Sequence, residues 1–212
     1  MNFTIHNVDQ RTPEWFALRA GKLTGSVAKD VLASVKSGEA AARRDLRYRL
    51  VCERLTGLPQ EDGFVNDAMQ RGIDLEPKAR AAYEGKTGQL VHESGFITLD
   101  GLHVGCSLDG HLSGFEALVS IKCPKTSTHL GYLKDREMPS TYYPQMWHEC
   151  WVTGARNYIF VSYDDRLPER FRLFVADRKV TDDEVESYAA KAQQFLAEVD
   201  QELAALDGLE VA

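Results

Sequence analysis

The sequence predicts an α/β (α+β) protein, a central mixed β-sheet of about five strands with helices on both faces. Three observations lead there. Runs that read as strands fall at 89–99, 102–108, 117–123, 157–163 and 170–175, the third with period-two alternation, punctuated by Gly88, Asp100-Gly101, Asp109-Gly110, Asp164-Asp165 and Pro168. Segments with apolar residues at helical spacing lie before, between and after these runs. No repeat, low-complexity stretch or linker interrupts the 212 residues, so a single domain over 1–212 is expected.

In chain order, residues 1–12 read as a short strand or arm. Thr12-Pro13-Glu14 marks a helix start: a capping hydroxyl, a proline in the first turn and an acid at the positive end. That helix runs to about Arg19 or Ala20, Gly21 ends it, and Thr24 or Ser26 is placed to cap a second helix to about Val35. Glu39 to Leu55 carries Leu46, Leu50 and Leu55 on one side of a long helix that Thr56-Gly57 and Pro59 terminate. Residues 58–65 read as a loop. From Asn66 to about Lys86, Met69, Ile73, Ala79, Ala82 and Tyr83 form an apolar stripe, on a helix that Pro77 should bend or restart.

The first two strands are joined by a tight turn at Asp100-Gly101. Thr126 to Arg136 reads as a short helix or loop, and Thr141 to Thr153 as an aromatic-rich helix. Thr181 caps a closing helix from Asp182 to about Ala205, with Val185, Tyr188, Ala192, Phe195, Leu196, Val199 and Leu203 in one stripe.

Charge and cysteine content narrow the function. With 25 basic and 32 acidic side chains the net charge is −7, so an enzyme acting on a polyanion must separate a basic channel from an acidic exterior. Arg43, Arg44, Arg47, Arg49 and Arg54 crowd one segment, whereas 182–186 and 198–207 are acid-rich. No run nears the ~18 apolar residues of a membrane span. Residues 1–10 lack a basic-then-apolar export signal, so a cytoplasmic location is expected. Cys52, Cys106, Cys123 and Cys150 form no C-x-x-C pair, which argues for free thiols over a zinc knuckle or an iron–sulfur cluster.

The stretch from Gly105 to Lys125 carries the chemistry. It reads as strand, turn, strand, with Asp109-Gly110 at the turn and Ser120 and Lys122 on one face of the second strand. A carboxylate ending one strand and a lysine on its neighbour can enter one cleft. That pairing suits metal-assisted attack on phosphate, the carboxylate holding a hard divalent ion and the lysine steadying a water.

These residues resemble the PD-(D/E)XK nucleases, whose pattern is Asp, a short hairpin, then Glu-x-Lys. Within them, Ser107-Leu108-Asp109-Gly110 and Ile121-Lys122-Cys123-Pro124 are similar to the lambda-type phage exonucleases, the YqaJ-like viral recombinases. Three further matches support this resemblance: Trp15-x-x-x-Arg19-x-Gly21-x-x-Thr24-x-Ser26, Gly72-x-x-x-Glu76-Pro77, and the helix that bears Gln145. The resemblance implies a Mg²⁺-dependent (Mn²⁺ as an alternative) exonuclease that degrades one strand of linear duplex DNA from its 5′ end. It implies metal ligation by Asp109, the Ile121 carbonyl and Glu76, activation of water by Lys122, and Gln145 near the reactive phosphate. Arg19, Ser26 and Ser107 would anchor the 5′-phosphate. The family's partners are double-stranded DNA ends and a single-strand annealing protein, and its members form ring-shaped homotrimers. No membrane association is implied.

One departure matters. The family places a Glu at the position of Ser120, counted among both its catalytic and its metal-ligating residues. A neutral hydroxyl removes one charge and one strong oxygen ligand, so weak metal binding and a rate loss of about 10²-fold are expected. Glu116 has the same strand parity but lies ~13 Å of extended chain away. Two other readings follow: a catalytically weak or inactive DNA-end-binding protein on the same fold, or a sequence-specific endonuclease.

Overall fold

The computed structural model describes residues 2–60 and 66–207; part of the expected 58–65 loop lies outside them. The chain opens with strand β1 (Phe3–His6), helix α1 (Pro13–Arg19), strand β2 (Leu23–Thr24) and the helices α2 (Ala28–Val31), α3 (Ala41–Thr56) and α4 (Asp67–Thr87). Strands β3 (Phe96–Leu99), β4 (Val104–Cys106), β5 (Gly110–His111) and β6 (Leu118–Lys122) follow. Helices α5 (Thr126–Asp135) and α6 (Tyr143–Thr153), strands β7 (Asn157–Tyr163) and β8 (Leu173–Lys179), and helix α7 (Asp182–Asp207) complete it.

The mixed α/β architecture is as expected, but the strands divide between two four-stranded sheets, ordered β1-β3-β4-β2 and β5-β6-β7-β8, instead of about five in one. The expected strand over 102–108 shortens to β4, and a separate β5 pairs antiparallel with β6. Gly110 serves a close approach and not a tight turn: a Cβ there would lie 2.2 Å from Val91 Cγ1. Beside it, His92 and His111 exchange backbone hydrogen bonds at 2.8 and 2.9 Å, which ties the segment before β3 to β5.

Strand β6 is the hinge of the packing. It runs parallel to β7 in a five-pair register from Leu118–Tyr158 to Lys122–Ser162. Val119 and Ile121 join one hydrophobic cluster, under Leu75, Ala79 and Tyr83 of α4. Leu118 joins a second cluster on the opposite face with Met146, Cys150 and Trp151 of α6 and residues of α3 and α7. Period two therefore turns Ser120 and Lys122 toward α6.

Local expectations fail where packing outweighs propensity. Helix α4 continues unbroken through Pro77. Burial of Leu75, Ala79 and Tyr83, at about 1.5–3 kcal/mol for each large side chain, offsets the ~3 kcal/mol cost of an internal proline. Those residues, and not Met69, form the buried stripe; Met69 is exposed. The second helix shrinks to a 3₁₀ turn, Gly25–Val27, and the four-residue α2, with no side-chain cap. Thr24 and Ser26 instead hydrogen-bond each other, Oγ1 to Oγ at 3.2 Å. At other ends the caps form as read: Thr12 Oγ1 accepts from Trp15 N at 3.3 Å, and Thr181 and Glu184 exchange the bonds of a capping box.

The arginine-rich α3 does not face outward as a basic surface. Arg43 pairs with Glu198, Arg47 with Glu202 at 3.3 Å and Arg54 with Asp200 at 2.5 Å, all on α7. Arg43 and Arg47 also hold Glu39. The acid-rich closing helix thus neutralises much of this segment by packing against it. The four cysteines are free, and among the described residues no helix is long and apolar enough to cross a membrane.

Candidate active site

Asp109 precedes β5 directly. Because Gly110 pairs with Val119, Asp109 falls across from Ser120. Its Oδ2 accepts from Ile121 N at 2.7 Å, Ser120 Oγ at 3.2 Å and Lys122 Nζ at 3.4 Å. The predicted acid and amine are therefore adjacent, each about a fifth exposed (22% and 21%). Burial pulls the Lys122 ammonium toward the neutral form, but the charges of Asp109 and Glu149 and the nearby Tyr142 outweigh it, and the lysine is held above its ordinary range.

A cleft of about 790 Å³ opens beside this pair, and Arg19, Ser26, Glu76, Ile121 and Lys122 all line it. Elements distant in sequence meet there through a single side chain, Trp15. Its indole Nε1 donates to Ser107 Oγ at 2.8 Å, and the Arg19 guanidinium lies over its ring at 4.1 Å. Ser107 is thereby taken up in fastening α1 to the segment leading to Asp109, and it stands outside the cleft wall. Arg11 and Arg49 add cationic lining. Arg11 adopts a left-handed backbone, φ 70°, a strained conformation of the kind that gathers at functional sites. On a chain of net charge −7 these cations concentrate positive charge in the cleft, and of the α3 arginines only Arg49 is among its lining.

Glu76 reaches the cleft from α4. It accepts from Arg80 Nη2 at 3.0 Å, and the same Nη2 donates to the Asp109 carbonyl at 3.0 Å. Burial, then repulsion from Asp109, pushes the Glu76 carboxyl above its ordinary range despite that arginine. Arg80 was signalled only by its i,i+4 spacing from Glu76.

Gln145 does not reach the cleft wall. Its Nε2 donates to Glu149 Oε1 at 2.7 Å, one helical turn along α6. Glu149 is buried; its Oε2 accepts from the Tyr158 hydroxyl at 2.8 Å, and Ser120 stands beside that hydroxyl. Burial first and Asp109 second raise the Glu149 carboxyl to about 7. Glu149 and Tyr158 belong to none of the sequence motifs. The Gln-x-x-x-Glu spacing on an otherwise apolar helix was the available signal.

The donor set fits a hard divalent ion. Asp109 lies close enough to Glu76 and to Glu149 to raise the protonation of both, a repulsion that a divalent cation relieves. Among the described residues no three His, Cys, Asp or Glu side chains form a preassembled cage.

The YqaJ-like viral recombinase domain model matches residues 14–156. The chain is similar to the alkaline exonuclease LHK-Exo from Laribacter hongkongensis, with 38% identity over 92% of this chain and 96% of that one and a TM-score of 0.82. A structure of LHK-Exo in complex with dAMP aligns at 39% identity over the same shares, TM-score 0.83. A phage related exonuclease from Haemophilus somnus 129PT shares the fold, with 14% identity over 87% of this chain and 96% of that one and a TM-score of 0.64. No curated protein sequence matches the chain significantly.

Proposed function

The chain belongs to the YqaJ-like viral recombinase family, and from that premise we propose that it is a Mg²⁺-dependent exonuclease degrading one strand of linear double-stranded DNA in the 5′-to-3′ direction, leaving a 3′ single strand for recombination. The observation that carries this reading is the Asp109–Lys122 contact at 3.4 Å beside a cleft that also holds Arg19 and Ser26.

Asp109, Glu76 and the Ile121 carbonyl would hold the metal. When bound, Mg²⁺ supplies Lewis acidity toward phosphate oxygens and lowers the pKa of a coordinated water. Lys122 would orient an attacking water through Nζ and place positive charge beside it. Arg19 offers a planar fork of donors to the terminal phosphate, and the Ser26 hydroxyl adds one more. Gln145 acts through Glu149, whose orientation it fixes. The same family premise adds a ring-shaped homotrimer around DNA and a single-strand annealing protein as partner, which sedimentation of the purified chain and co-purification would test.

The decisive experiment digests duplex DNA labelled at either end, in Mg²⁺ and in EDTA, beside closed circles. The 5′ label is released first, only in Mg²⁺, and circles survive. Cleavage of circles, or earlier release of the 3′ label, overturns the assignment.

A further inference from the structure

We propose that Glu149 of α6 is the carboxylate that position 120 of β6 lacks, acting beside Asp109 as an oxygen ligand for the divalent cation. This rests on the nuclease reading above and removes the expectation that Ser120 leaves the enzyme impaired.

Three observations carry it. The first is adjacency. Ser120 Oγ lies 3.2 Å from Asp109 Oδ2 and stands beside the Tyr158 hydroxyl, which donates to Glu149 Oε2 at 2.8 Å. One hydroxyl separates the position where a carboxylate is missing from the one where a carboxylate stands. The second is complementary volume. Ser120 is 2% exposed and Glu149 4% exposed, so both positions are enclosed and a longer side chain at 120 would need space that neighbours now fill. A short residue on the strand and a long one on the helix fill the space together.

The third is charge. Among the described residues no ion pair reaches Glu149, and its two oxygens accept from neutral donors, Gln145 and Tyr158. Lys122 is the nearby cation, but its Nζ bonds Asp109 and not Glu149, and a buried carboxylate whose hydrogen-bond donors are all neutral gains from a bound metal. Glu116, the other candidate on the same strand parity, is exposed and lies before β6.

The test compares the unsubstituted protein with Glu149→Gln and with the exchanged pair Ser120→Glu/Glu149→Ser. Each is titrated with Mn²⁺ by calorimetry without DNA and assayed in Mg²⁺ on 5′-phosphorylated linear duplex. Glu149→Gln lowers Mn²⁺ affinity at least tenfold and digestion at least a hundredfold, and the exchanged pair recovers to within tenfold of the unsubstituted protein. A fall in Mn²⁺ affinity smaller than tenfold for Glu149→Gln overturns the proposal. Gln keeps the shape of the replaced side chain, so this variant decides the matter even if thermal melts show the exchanged pair unfolded. If the unsubstituted protein digests no DNA, the exonuclease reading fails, while the Mn²⁺ contrast still decides the role of Glu149.

Discussion

Arg43 of α3 grips Glu198 of α7 with two parallel bonds, Nη1 at 2.6 Å and Nη2 at 2.9 Å from the two carboxylate oxygens. The same guanidinium lies 5.1 Å from the Phe195 ring. Its charge is used inside the molecule. Arg43→Ala should lower the free energy of unfolding by about 1 kcal/mol and leave duplex digestion within about twofold. Urea melts and the digestion assay check both halves.

Arg19 should behave oppositely. It lines the cleft, so Arg19→Ala should cost about tenfold to hundredfold in kcat/KM on 5′-phosphorylated ends, the worth of one charge-assisted contact. Ends carrying a 5′-hydroxyl should change little. Equal losses on both ends would remove Arg19 from phosphate recognition.

Lys122→Met should reduce digestion by about 10²-fold or more while leaving Mn²⁺ binding equal or tighter. The sign of the second effect follows from electrostatics: an ammonium 3.4 Å from Asp109 competes with any cation for the same oxygen. Weaker Mn²⁺ binding in the variant would contradict the arrangement.

Glu149 should make the metal-free protein less stable as pH rises. Near pH 4 and below, folded and unfolded chains both keep its proton; between there and about 7 only the folded chain does, so unfolding releases a proton. Stability is full at the acid end of that window and is lost by about pH 7, on the order of 3 kcal/mol. In EDTA, the Tm of Glu149→Gln should exceed that of the unsubstituted protein by a margin that grows from pH 5 to 8. A constant margin would refute the burial of an unneutralised carboxylate.

Asp164 shows the opposite linkage. Burial raises its carboxyl, but donors from Arg166 and Thr126 outweigh that and hold it well below the usual carboxylate range. Arg71 of α4 donates at 2.9 Å as well. The contribution is complete above the ordinary carboxylate range and is lost as pH falls through the lowered value. Asp164→Ala should cost about 3–5 kcal/mol at neutral pH, measured by urea melts, and much less in acid.

The site was legible where chemistry demands particular residue types at short spacing. Asp109, Lys122, Glu76, Arg19 and Ser26 are drawn together as the motifs implied. Ser107 and Gln145 are also close by, yet each serves another side chain, Trp15 and Glu149. The service of Ser107 depends on a contact over 92 residues, which leaves no local pattern, whereas that of Gln145 leaves only the Gln-x-x-x-Glu spacing of one helical turn. The helix assignments held where an amphipathic stripe and a cap agreed, as in α7, and failed where tertiary burial overrode a proline, as in α4. The division into two sheets was invisible because Gly110 can mean either a turn or a close approach, and only the position of Val91 distinguishes them.

The five-pair register of β6 against β7 sets what kinds of change this enzyme can survive. An acidic group can migrate from strand to helix, because any backbone bordering the same pocket can offer one. Losing a single residue from β6 has no such remedy. Every side chain after the deletion would exchange faces, sending apolar groups into the pocket and the lysine into the oily layer beneath α4. Lineages descending from this chain should therefore show drifting ligands on a strand of invariant length.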